Sequence, residues 1–365
     1  MILRPTRPCS PTTAIFLAGL AAGCGGIGDE WQGPRHDAAV GGDTTPLQPD
    51  TRPPPDTASL PDTGALDSGV GPETAPPVTI VVLPDTQYYS VAYPDVFAGQ
   101  TSWILGQKAA LNIAAVLHVG DIVDGDTQDQ WTVASTAMRA LDGFVPYVLV
   151  PGNHDTDSDR NTMIDTYFGP ASMPWITGTM IAGQIENNYA LLDIGPQKWL
   201  VLGLEFGPRD VVVTWAESVL KAYPALPAMI VTHAYLYHDG NRYDVNASSH
   251  QSFIPQDYHY TESQGINDGE MLWQKLVLPN PNVRLVFCGH DTGWARLRST
   301  RPDGSVVDQM LSDYQWYGGD SFGDGYLRVV QLDYGKKTIQ VQTYSPYLQQ
   351  YLTDDANQFT LDLNL

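Results

Sequence analysis

Residues 147–155 read YVLVPGNHD, an aromatic and aliphatic run that stops on Asn153, His154 and Asp155. A strand ending on an amide, an imidazole and a carboxylate sets those groups at the rim of a sheet, where open α/β sheets bind their ligands. Four further stretches end in the same way. TIVVLPDTQ (79–87) delivers Asp85 and Gln87, and AAVLHVGDIVD (114–124) delivers Asp121 and Asp124. AMIVTH (228–233) ends on His233, and VRLVFCGH (283–290) on His290. Singly, each is weak: GD and GH are common dipeptides, and Asn and Asp suit turns on their own account. Together the tips of such strands can meet at one point, and their mix of carboxylate, carboxamide and imidazole suits Mn²⁺, Fe or Zn²⁺.

From Pro77 onward strand and helix patterns alternate. Strands are expected at Val78–Leu83, Ala114–Val119, Val145–Val150, Ala228–Val231 and Asn282–Cys288. Asn188–Asp193 and Lys198–Leu204 read as a hairpin turning at Gly195 and Pro196. Helices are expected over Gln100–Leu111, Thr127–Leu141, Asp210–Ala222 and Met271–Val277; in the second, Trp131, Val133, Ala134, Ala137, Met138 and Leu141 fall roughly on one face. Strands alone follow, over Val306–Leu311, Gly325–Asp333 and Lys337–Tyr344. The pattern by itself implies an α/β protein with a mixed sheet.

Written as DxQ, GDxxD, GNHD, H and GH, the series resembles the calcineurin-like metallophosphoesterase superfamily, whose usual pattern is DxH, GDxx, GNH[DE], H and GHxH. The resembling region runs from Asp85 to about the end of the chain. It implies a four-layer αββα sandwich, with two mixed β-sheets flanked by helices, over residues 78–365. It also implies two divalent metal ions (Mn, Fe or Zn) and hydrolysis of a phosphomonoester or phosphodiester by a metal-bound hydroxide. Carried over residue by residue, Asp85 binds the first ion and Asp121 bridges both. Asn153, His233 and His290 complete the second. His154 faces the substrate, and Asp155 holds the other nitrogen of the His154 ring.

Two positions depart from that pattern. Gln87 replaces the DxH histidine, and Thr292 stands where the second histidine of GHxH falls. A glutamine oxygen can ligate, but it is a neutral and weaker donor to borderline metals. The first site is therefore expected to bind its ion less tightly and to lean toward Mn²⁺ or Mg²⁺, with Asp291, Asp313 or Gln315 as possible replacements. The alternative to an enzyme is an impaired member of the fold that serves as a binding or structural lipoprotein. A third reading, an adhesion module using acidic groups for Ca²⁺, is disfavoured by the histidines among the ligands.

Other residues have plainer readings. Asp124 suits a cap for the following helix or a supporting role behind the ligands, His118 a core or supporting histidine, and Cys288 a buried thiol. The stretch from Tyr235 to Gly265 is rich in Tyr, His, Asn and Ser. It is either a lid over the site, with Arg242 meeting a phosphate, or a surface insertion.

The 365 residues carry a net charge of -22, which disfavours nucleic-acid and anionic-lipid partners. A small phosphoester or a lipid headgroup is the expected substrate class. Residues 1–23 combine Arg4 and Arg7 with the apolar run AIFLAGLAAG before Cys24, the layout of a secretory signal peptide. LAAGC resembles a bacterial lipobox, which implies lipidation at Cys24. Residues 24–77 hold ten prolines and one aromatic, Trp31, too little apolar surface to offset ordering. They are read as a disordered tether, semi-extended where it adopts polyproline II. The implied place is the bacterial cell envelope, periplasmic or surface-facing, with the membrane reached only through the lipid. Cys24→Ser should move the protein from the membrane to the soluble fraction. Complete retention with membranes would overturn the anchor.

Overall fold

The computed structural model describes residues 75–261, 264–318 and 322–365. The signal-like segment, Cys24 and nearly all of the proline-rich stretch lie outside the described residues. In chain order, β1 (Val78–Leu83), α1 (Gln87–Ala92), α2 (Pro94–Gln107), β2 (Ile113–His118), α3 (Gln128–Arg139) and β3 (Tyr147–Leu149) come first. Then α4 (Ile164–Phe168) and β4 (Ile176–Thr179) lead to the hairpin β5 (Asn188–Ile194) and β6 (Gln197–Leu204). α5 (Asp210–Ala222) carries the chain to β7 (Ala228–Thr232), and α6 (Gly269–Leu272) leads to β8 (Val283–Cys288). β9 (Gly293–Thr300), β10 (Val306–Asp313), β11 (Leu327–Asp333), β12 (Thr338–Ser345), β13 (Gln350–Leu352) and β14 (Gln358–Asp362) close it.

The strands form two sheets. One runs β13-β12-β11-β1-β2-β3, with β14 also on β12; the other runs β4-β5-β6-β7-β8-β10-β9. In the first, β1, β2 and β3 are parallel; in the second, β6, β7, β8 and β10 are. Strands buried on both faces read as unbroken apolar runs, and β1 is buried at every residue. Its alternate side chains go to different layers. Ile80 and Val82 join Val201, Met229, Val231 and Phe287 between the sheets. Val81 and Leu83 face Phe97, Ile104, Trp131 and Met138 of α2 and α3. On the far side Leu202, Ile230 and Val286 meet α5 through Val212, Ala216 and Leu220. The result is the αββα sandwich. Burying each such aliphatic side chain contributes roughly 1.5–3 kcal/mol.

Several elements differ from the sequence reading. α2 starts at Pro94, because proline is pre-set for the first helical turn. The helix expected over Met271–Val277 starts at Gly269, capped by Asp268, and widens at Trp273–Val277, where Leu278 N–H reaches Trp273 O at 2.8 Å. β9 went unread because its residues alternate between half-buried and exposed, without an apolar face.

One carboxylate joins the loops that follow β2 and β3. Asp155 is fully buried and accepts N–H bonds from Gly152 (2.7 Å), Val123 (2.8 Å) and Ile122 (3.1 Å). Burial and the neighbouring Asp121 push its carboxyl up to about 7, against the pull of those N–H groups. This corrects its expected role: Asp155 makes no bond to the His154 ring, whose Nδ1–H is donated to Asp124 O at 2.9 Å. Asp155→Ala would leave those donors without a partner at ~1–3 kcal/mol each. Urea unfolding in chelator should show a loss of about 3 kcal/mol or more. A loss under about 1 kcal/mol would show that the loops are held by something else.

Candidate metal centre

Parallel strands end at one rim, and here the rims of the two sheets meet. Asp85 follows β1, Asp121 follows β2 and Asn153 follows β3; His233 and His290 follow β7 and β8. His233 Nε2 lies 3.2 Å from Asp121 Oδ2, 3.1 Å from Asn153 Oδ1 and 3.2 Å from His290 Nδ1. Ligand atoms of Asp121, His233 and His290 lie within 4.8 Å of one another.

The tautomers explain why this cluster calls for a cation. His233 Nδ1–H is donated to Val119 O at 2.9 Å, and His290 Nε2–H to Phe253 O at 2.6 Å. The inward atoms, His233 Nε2, His290 Nδ1, Asp121 Oδ2 and Asn153 Oδ1, therefore all present lone pairs. One proton on His233 serves a single acceptor, whereas a divalent ion serves all of them at once. Burial opposes charge on His233, but the Asp121 carboxylate outweighs it and raises the imidazole above its ordinary value. Burial, then the His233 charge, pushes His290 down to about 3. Burial also opposes charge on Asp121, yet His233 and His154 beside it hold its carboxyl well below the usual range. Proton and metal compete for the same lone pairs, so an ion held by these residues would take the place of this proton.

The motif glycines follow from the crowding. A Cβ on Gly152 would sit 2.0 Å from Asp121 Oδ1, and one on Gly289 2.0 Å from Asp85 Oδ1. Asp121 and His290 themselves adopt left-handed backbone, at φ 47° and 78°. Non-glycine residues take up that strain where the surroundings over-determine it.

Asp85 and Gln87 lie beside this set, each 2% exposed. Asp85 Oδ2 accepts His290 N–H at 3.0 Å and stands 4.0 Å from His233 Nε2. Burial, then the charges of Asp313 and Asp121, raise its carboxyl well above the ordinary range. Gln87 Nε2 donates to Asp124 Oδ1 at 3.2 Å. Asp85 Oδ1 and Gln87 Oε1 are buried with no hydrogen-bond partner. Buried oxygens without a donor are rare in folded proteins and call for an explanation. A metal ligand role fits both.

His154 sits at the mouth of the cluster, with 39% of its side chain exposed. Its N–H is donated to Asp121 Oδ1 at 3.0 Å, and Asp124 Oδ1 lies 3.4 Å from its Nδ1. Burial works against its charge, but Asp121 and the Asp124 carbonyl raise its pKa above the ordinary value. Asp124 thus braces both Gln87 and His154. It does not cap α3, whose N-cap is Thr127 without a side-chain bond. The sequence reading left a supporting role for Asp124 open beside the cap, on the GDxxD spacing, but not which side chains it holds. His118 is fully buried, bonding Thr86 Oγ1 at 2.9 Å and accepting Gly120 N–H at 3.3 Å. Cys288 is buried, and burial pushes its thiol up to about 12.

The stretch after His233 packs against the site. Tyr243, Ile254 and Tyr260 form a small core with Phe206 and Ala234, and Phe253 O holds the His290 ring. Arg242 is turned away from the ligands. It lies over the Trp273 ring at 4.3 Å and pairs with Glu270 at 3.0 Å, so the expectation that it meets a phosphate is corrected.

The chain is 34% identical over 305 residues to YvnB, an uncharacterised protein of Bacillus subtilis (strain 168). That match covers 78% of this chain but 22% of YvnB, so the chain spans under a quarter of that relative's length. A dimetal phosphatase from Danio rerio is similar at 14% identity and TM-score 0.48, over 80% of this chain and 100% of that one. The 5'-nucleotidase from Candida albicans SC5314 is similar at 13% identity and TM-score 0.40, over 80% of this chain and 52% of that one. The family model for calcineurin-like phosphoesterases matches residues 78–292, well over half of the 365 residues. This chain belongs to the calcineurin-like phosphoesterase family.

Proposed function

We propose that this protein hydrolyses a phosphomonoester or phosphodiester at the rim where the two sheets meet, using two divalent ions. The observation that carries the reading is the convergence of His233 Nε2, His290 Nδ1, Asp121 Oδ2 and Asn153 Oδ1 with their lone pairs inward. In this reading those four residues would hold one ion, and Asp85 and Gln87, with Asp121, would hold the other. When bound, such ions polarise phosphoryl oxygens and lower the pKa of bound water.

The protein's own groups supply orientation and proton handling. His154 Nδ1–H is committed to Asp124 O, which leaves Nε2 as the free nitrogen of a half-exposed ring. From the mouth of the site it can steady a phosphoryl oxygen or give a proton to the departing oxygen. Asp155 acts one step back, holding the Ile122–Val123 turn and Gly152 that carry Asp121 and Asn153 into place. A small phosphoester or lipid headgroup suits a site that opens at a sheet rim. The signal-like segment and Cys24 support a cell-envelope location, tethered by lipid.

The test is a panel of phosphomonoesters and phosphodiesters with Mn²⁺, Fe²⁺, Zn²⁺ and Mg²⁺. Asp121→Ala and His290→Ala should lose both bound metal and turnover. His154→Ala should keep its metal and lose turnover by roughly 10²–10⁴-fold, the range for one general acid–base group. A parent protein that loads metal yet turns over none of the panel would favour the impaired, binding-module reading. Metal loss in His154→Ala matching that in Asp121→Ala would show that His154 is a ligand.

A further inference from the structure

Two histidines usual at the first metal are absent, since Gln87 and Thr292 stand in their places. The structure shows what occupies that side of the site. Asp291 is already engaged, its Oδ2 accepting His238 N–H at 2.5 Å and lying 2.9 Å from His238 Nδ1. Asp313 is different. β10 runs parallel to β8 with Leu311 beside Cys288, so two residues on, Asp313 comes level with His290 at the same rim.

Asp313 has no exposed surface. Its Oδ1 accepts Gln315 N–H at 2.9 Å, and its Oδ2 is buried with no partner. Gln315 Oε1, Asp85 Oδ1 and Gln87 Oε1 are in the same condition. Gln87 has its Nε2 fixed on Asp124, so its oxygen is the end left over. The chain around Gln87 lies against the chain around Gln315, because the Tyr88 and Trp316 rings are 5.2 Å apart. Two buried carboxylates at one rim are relieved either by a proton or by a cation.

We propose that Asp313 is the anionic ligand that takes the place of the second histidine, and that Asp85, Gln87, Asp313 and the shared Asp121 form an oxygen-only first site with Gln315 in the same turn. The inference rests on the metal-centre reading above. Its consequence is an unequal pair of sites. Oxygen-only donors with several carboxylates select hard ions such as Mn²⁺ or Mg²⁺. The neighbouring set with two imidazoles suits Zn²⁺ or Fe. The first site is therefore built for a harder ion, and is more than a weakened copy of the usual one.

The experiment uses the full chain, stripped with chelator and reloaded with Zn²⁺ and Mn²⁺ together. Ions per chain are read by elemental analysis and Mn²⁺ binding by electron paramagnetic resonance. The parent should hold one Zn²⁺ and one Mn²⁺. Asp313→Asn, which keeps the shape, should keep its Zn²⁺ and weaken Mn²⁺ binding by at least ~10-fold, the smallest loss usual when even an outer partner of a metal ligand is removed. Gln87→His should shift the first site toward Zn²⁺, a change in preference that a merely structural role would not produce. Thermal unfolding of each stripped variant verifies its fold. Asp313→Asn that binds Mn²⁺ as tightly as the parent, or that loses both ions equally, would overturn the proposal while leaving the metal centre standing. A parent that binds no ion would overturn both.

Discussion

Crowded lone pairs at the meeting edge of two sheets are the constraint on which much of this structure depends. His290, Asn153 and Asp121 each bring an acceptor to 3.1–3.2 Å from His233 Nε2. Asp85 and Asp313 add buried carboxylates behind them. Such a cluster costs free energy unless a cation occupies it. The fold supplies that arrangement through direction: parallel strands from both sheets all point their carboxyl ends at the same place.

The local backbone follows from that crowding. Gly152 and Gly289 are glycines because carboxylate oxygens of Asp121 and Asp85 occupy the space of a Cβ. Asp121 and His290 accept left-handed backbone, and the bonds of Asp155 across the two loops help to keep the first of them there. The histidine tautomers are set from behind by Val119 O and Phe253 O. The second of these links the ligand set to the aromatic segment after His233. That segment is therefore part of the site's support, whatever else passes over it.

The site is also uneven. In the proposed arrangement one side is imidazole, amide and carboxylate, and the other would be oxygen alone. Charge and softness of donors decide which ion a site prefers, so in that arrangement the centre would combine two different chemistries. Asp124, bonded to both Gln87 and His154, connects the oxygen side to the ring that faces the solvent.

The strand-then-polar-residue series was legible in the chain, because an apolar run with a polar end states both burial and direction. It identified the alternation of strand and helix, the hairpin around Gly195 and Pro196, and the residues that meet at the rim. The outer strands of the two sheets were not legible, since β9 of the second sheet and β13 and β14 of the first are half-exposed and lack an apolar stripe. The partners of Asp155 and His154 were also out of reach: both sit in one GNHD motif, yet one bonds backbone across a loop and the other a carbonyl thirty residues away. Asp313 and Gln315 were visible only as candidates, because their place depends on the register of β10 against β8. Sequence alone determined which groups are offered at strand ends, since that is written in local polarity. Tertiary structure alone decided which of them face one another, since pairing register and loop geometry are set by contacts distant in the chain.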